Sequence, residues 1–145
     1  MERQLRAVWL GRLVLLAATI ILTLVGLRGL TDPVHGLADR GISVSSGYGI
    51  TTIRVATGAF PFAAGIVTLL CLVSSSRLLI GLSFTIILMA VALAARVFGI
   101  LVDGSVVAEN IRITGVETVV LLLAIVAVFL GARKHDSPQT RKETA

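Results

Sequence analysis

Four stretches of this sequence carry no charged side chain: Leu13 to Leu27, Val55 to Ser76, Leu78 to Ala95 and Thr118 to Ala132. Of the 145 residues 56% are hydrophobic and 14% charged, and the mean hydropathy is +0.98. A water-soluble domain of this size cannot hide that much apolar side chain, because a small domain still exposes roughly a third of its unfolded-chain surface. The solvent for these stretches must be lipid. A cytosolic enzyme, a secreted disulfide scaffold and a disordered tail are excluded together.

A helix that crosses a bilayer needs about twenty mostly apolar residues. The first and last stretches hold 15 each, so their helices must reach past a charge. The pattern predicts an all-α, integral membrane four-helix bundle over residues 1–131, with helices near Ala7–Leu30, Gly49–Val73, Arg77–Val102 and Ile111–Gly131. A mobile basic tail, 132–145, follows. The first span has no persuasive small-x-small cleavage site before Arg28, so it reads as a retained helix and not as a signal peptide.

The net charge of +5 would suggest nucleic acid in a soluble protein, but here its placement decides. One face collects Arg3, Arg6, Arg12, Arg77, Arg133, Lys134, Arg141 and Lys142 against Glu2, Asp136 and Glu143. The other has Arg28, Arg40, Arg54, Arg96 and Arg112 against Asp32, Asp39, Asp103, Glu109 and Glu117. The whole excess lies on the first face, which the positive-inside rule makes cytoplasmic. Both termini are therefore expected inside a multi-pass protein of the bacterial inner (plasma) membrane. Trp9 and Tyr48 fall where interfacial anchors belong, and Arg12 reads as a residue snorkelling to the inner boundary. Between the first two spans, Asp32 as N-cap, Pro33 at the first helical position and Gly41 as a stop predict a short helix on the outer surface.

Known chemistries find little to work with. Cys71 is alone, which removes disulfide, dithiol and zinc chemistry, and His35 and His135 fall in connecting or terminal segments where a bis-histidine haem is not held. Ser74, Ser75 and Ser76 form a turn without a nearby base. No catalytic constellation, metal set or cofactor motif is present, and no cofactor or nucleic-acid partner is expected.

The unusual feature is a layer of charge at membrane depth. Arg28, Arg54, Arg96 and Glu117 come from all four helices at one outer level, and Asp32 and Asp103 lie closer to water. A charge at mid-membrane costs about 2.5 to 3.5 kcal/mol, so the layer is expected to face inward. Insertion itself is affordable: the Leu, Ile, Val and Phe residues between Leu78 and Val102 contribute roughly 6 kcal/mol against about 3 for Arg96. Helical spacing places Ala92, Arg96, Gly99 and Asp103 on one stripe and Arg54, Gly58, Pro61 and Gly65 on another, with a kink at Pro61. Glu117 shares a face with Ile113, Leu121 and Ala124. Two readings stand side by side: a neutral ion network that holds the bundle together, or a pocket in which arginine forks take a lipid headgroup or small anion.

Gly26-x-Arg28-Gly29-Leu30-x-Asp32-Pro33, Arg54-x-x-x-Gly58, Ala95-Arg96-x-x-Gly99-x-x-x-Asp103-Gly104 and Glu117 resemble, in this order, the bacterial four-helix membrane family catalogued as domain of unknown function 4345, over residues 10–131. The resemblance implies a small integral membrane protein and assigns no activity. The expected function is a non-enzymatic binding or accessory module, with membrane lipid, a membrane-protein partner or a second copy of the chain as partners. A proton- or ion-coupled transporter acting as an oligomer is the alternative, and a quinone- or lipid-associated enzyme the next.

Overall fold

The computed structural model describes residues 2–38, 43–104 and 108–132. The tail beyond residue 132, and the expected stop at Gly41, lie outside them. Every described element is helical. The order is α1 (Glu2–Thr31), a single turn α2 (His35–Ala38), α3 (Gly47–Ile53), a π segment (Arg54–Ala59), α4 (Phe60–Leu72), a 3-10 turn (Ser75–Arg77), α5 (Leu78–Asp103) and α6 (Ala108–Ala132). Four helical units are long and apolar enough to cross a membrane: Val8–Thr31, Gly47–Leu72, Ser75–Asp103 and Ile111–Leu130. The ends of these units follow local chemistry. Ser46 caps α3 by accepting from the Gly49 N–H at 3.0 Å. Gly104 closes α5 with φ of 64°, the left-handed conformation that glycine adopts without a Cβ penalty.

Asp32 does cap the turn that follows it, but the helix starts at His35, not at Pro33. The Asp32 Oδ1 accepts from the His35 N–H at 3.3 Å and from its Nδ1 at 2.8 Å.

The bundle has two unlike ends. At the proximal end, which carries the Ser74–Arg77 connection, Val14, Leu15, Cys71, Leu78, Leu82, Ala124 and Ala127 form one buried core drawn from all four long units. Leu15 and Ala124 are fully enclosed. The core also holds polar groups in satisfied positions. Thr19 donates to Thr68 at 2.9 Å, Thr68 to the Gly65 carbonyl at 2.9 Å, and Thr85 to the Gly81 carbonyl at 2.9 Å. Arg12 donates to the Ser75 hydroxyl at 2.8 Å, which ties α1 to the connection.

At the distal end α1 and the second unit meet backbone to backbone. A Cβ on Gly29 would sit 2.4 Å from the Thr57 carbonyl oxygen, one on Gly26 2.4 Å from the Phe62 nitrogen, and one on Gly58 2.6 Å from the Leu30 nitrogen. The two backbones meet because neither carries side chains there, which is how membrane helices gain dispersion contacts without a hydrophobic driving force. Beyond Thr85, by contrast, no side chain of α5 is fully buried.

The second unit is not a regular α-helix. Pro61 has no N–H to offer the Thr57 carbonyl, and the ladder widens so that the Phe60 N–H reaches the Val55 carbonyl. The Thr57 hydroxyl donates to the Ile53 carbonyl at 2.9 Å, a side-chain bond back onto the preceding turn. The kink expected at Pro61 takes the form of this π turn.

Candidate functional site

Arg96 on α5 and Glu117 on α6 come together. The antiparallel α5–α6 pair places the two at the same height, and the arginine meets the carboxylate edge-on. Its Nε donates to Oε2 at 3.0 Å and its Nη2 to Oε1 at 2.8 Å. This two-bond fork is the strong form of an ion pair, since both donors and both acceptors are charged. The side chains keep 26% and 14% of their exposure, so the pair is half-buried on the distal half of the bundle. Ala124, on the same face of α6 as Glu117, lies in the core, while Ile113 and Leu121 are half-buried. Both oxygens of Glu117 are occupied by Arg96, which leaves the carboxylate poorly placed to serve as a free base.

The other four residues of the expected layer do not join this pair. Arg54 is exposed and has no hydrogen bond or ion pair among the described residues. The expectation that it shares a buried face with Gly58 and Gly65 is not met: both glycines are buried and Arg54, where the π segment begins, is exposed. Gly58 and Gly65 turn toward α1, and Arg54 turns away. Asp103 is exposed at the end of α5, its Oδ2 3.7 Å from the Cβ position of Gly99, and it too has no ion pair among the described residues. Arg28 is exposed at the end of α1. Asp32 is exposed and held by His35; the side-chain hydrogen bond from His35, then its backbone N–H, keep the carboxyl below its ordinary pKa, with Arg28 a smaller contributor.

The six residues therefore divide into a closed pair, Arg96 and Glu117, a surface contact at Asp32, and three open charges, Arg28, Arg54 and Asp103. Among the described residues no group of three or more His, Cys, Asp or Glu could hold a metal ion. Sequence reasoning missed the Thr19–Thr68 pair, for which two threonines 49 positions apart give no signal. It also missed the packing role of Gly26 and Gly29, although their spacing of three on one helix face marks a small-residue contact surface.

A family model described as Domain of unknown function (DUF4345) matches residues 10–128. No curated protein and no solved structure matches the chain.

Proposed function

The chain belongs to the DUF4345 family, and from that premise we propose that it is a non-enzymatic membrane interaction module whose open arginine takes an anionic group from outside its own chain. In this reading the N- and C-termini are cytoplasmic, the distal end lies in the outer leaflet of a bacterial plasma membrane, and Arg28, Asp32, Arg54, Arg96, Asp103 and Glu117 form its polar layer. Arg96 and Glu117 satisfy each other and act as a clasp between α5 and α6. Arg54 is the receiving group.

The observation that carries the proposal is the state of Arg54. It lies seven positions from Gly47, about 10 Å along a helical unit of 26 residues whose hydropathy suits a membrane span, and it is exposed without a partner. A charge at that depth is expensive unless something neutralises it. None of the described residues does so, which points to a carboxylate or phosphate presented from the membrane side.

The test is native mass spectrometry of the full chain extracted in mild detergent. Wild type is expected to retain added mass, either lipid or protein, and Arg54→Gln to lose it while keeping its helical content. A bare wild-type monomer, or a retained mass indifferent to Arg54→Gln, would sink the reading.

A further inference from the structure

At the proximal end a half-buried arginine lacks the counter-charge that Arg96 has in Glu117. Arg12 lies four positions inside the span Val8–Thr31, about 6 Å along the helix axis. It sits beside the start of α5 because Gly11 lets α1 come close: a Cβ on Gly11 would lie 3.2 Å from the Leu82 side chain and 3.4 Å from that of Leu78. The Arg12 Nη2 donates to the Ser75 hydroxyl at 2.8 Å, while the hydroxyls of Ser74 and Ser76 bond to each other at 3.0 Å. Its Nε is buried and has no hydrogen-bond partner. An unsatisfied buried donor is costly, and a neutral hydroxyl does not offset a cation at the edge of hydrocarbon. The carboxylates whose side chains are described, Asp32, Asp103 and Glu117, all belong to the distal half. Glu2 begins α1 ten positions before Arg12, about 15 Å away along the axis. Two residues after Ser75, in the same 3-10 turn, Arg77 is exposed and adds a second positive charge.

We propose that Arg12, Ser75 and Arg77 form a site for the phosphate of an anionic phospholipid in the leaflet at the proximal end. The inference goes beyond the reading of Arg54 and does not depend on it. Phosphate oxygens match the planar fork of a guanidinium, and Ser75 already holds that fork in place, so little side-chain freedom is left to lose on binding. The buried Nε stays enclosed; the phosphate takes the terminal nitrogens and offsets a charge that is delocalised over the whole group. The depth favours a lipid. Exposed Trp9, three positions before Arg12, is a residue type that sits where headgroups meet hydrocarbon. A lipid phosphate is delivered to that level by its own acyl chains, whereas a free anion would have to leave water to reach Arg12. Two guanidinium groups with no described carboxylate beside them favour a headgroup of net negative charge over a zwitterionic one, whose ammonium they repel.

The test titrates the full chain in mild detergent with phosphatidylglycerol and, separately, with phosphatidylcholine of the same acyl chains, and reads bound lipid by native mass spectrometry. Wild type is expected to retain phosphatidylglycerol in preference and to gain heat resistance from it. Arg12→Gln is expected to weaken that binding by about tenfold or more, and Arg77→Gln by about fivefold. The Arg77 side chain makes no bond among the described residues, so its variant removes charge without disturbing the packing and decides the matter where Arg12→Gln fails to fold. Ser75→Ala, which frees the guanidinium and leaves the charge unchanged, is expected to weaken binding as well. Equal retention of the two lipids, or phosphatidylglycerol binding indifferent to Arg77→Gln, overturns the inference. Inorganic phosphate is expected to give no heat protection; protection equal to the lipid's makes the occupant a free anion and overturns the lipid, as does a protein partner retained in its place. Mass lost in Arg12→Gln and kept in Arg54→Gln belongs to this site, whereas mass lost in Arg54→Gln alone overturns it and leaves the reading of Arg54 standing.

Discussion

At the scale of single residues, the glycines of α1 and the second unit have the clearest energetic role. The Thr57 carbonyl, freed by Pro61, occupies the place where a side chain at position 29 would begin. Gly29→Ala is therefore expected to force the backbones apart and to lower resistance to denaturing detergent by about 1 to 3 kcal/mol, the usual cost of overpacking. Gly115→Ala, where nothing lies within 4 Å, supplies the control and is expected to change little. Asp32 offers a second test at this scale. Its carboxyl is lowered mainly by the His35 side chain, so the contact is fully formed above the ordinary carboxylate range and is lost as pH falls through the lowered value. A carboxyl-carbon NMR titration is expected to place its midpoint below that of an unperturbed aspartate, and His35→Ala to bring it back up. An unchanged midpoint in that variant would remove His35 as the cause.

At the scale of helices, the α5–α6 contact is set by the guanidinium–carboxylate fork as well as by apolar packing. Removing one partner strands the other in a low-dielectric setting, so the first loss carries nearly the whole penalty. In a double-mutant cycle, Arg96→Ala and Glu117→Gln are each expected to destabilise the bundle, and the double variant to cost little more than either, with a coupling of about 0.5 to 3 kcal/mol. Additive losses would show two independent residues. The π segment gives the second unit a testable register. It holds one residue more than an α-helix of the same rise, so deleting Ala56 is expected to rotate α3 and to change the labelling of a cysteine placed at Arg54 by a water-soluble thiol reagent. Cys71 is buried, which keeps the background low. The same feature explains a limit of the sequence reading. A proline announces that a helix is interrupted, but whether the interruption becomes a bend or a widened turn depends on what packs against it, and here the packing partner is the glycine surface of α1.

At the scale of the whole molecule, the packing is asymmetric. The proximal half is closed by residues from four units, with Leu15 and Ala124 completely enclosed. The distal half is two helical pairs, α1 with the second unit and α5 with α6, each held by its own device: backbone proximity in one, an ion pair in the other.

The sequence by itself determined the solvent and the elements. Long uncharged stretches in a chain this short must be helices in lipid, since hydrocarbon offers no partner to an unsatisfied backbone. It also determined that Arg96 and Glu117 needed partners, because an isolated charge at that depth is costly. Only the tertiary structure decided who the partners were. Arg96 and Glu117 chose each other because α5 and α6 pack side by side, whereas Arg54, at the start of the π segment, is left exposed. Periodicity is a property of an ideal ladder, and the ladder here is rewritten by one missing N–H at Pro61 and by the backbone of another helix.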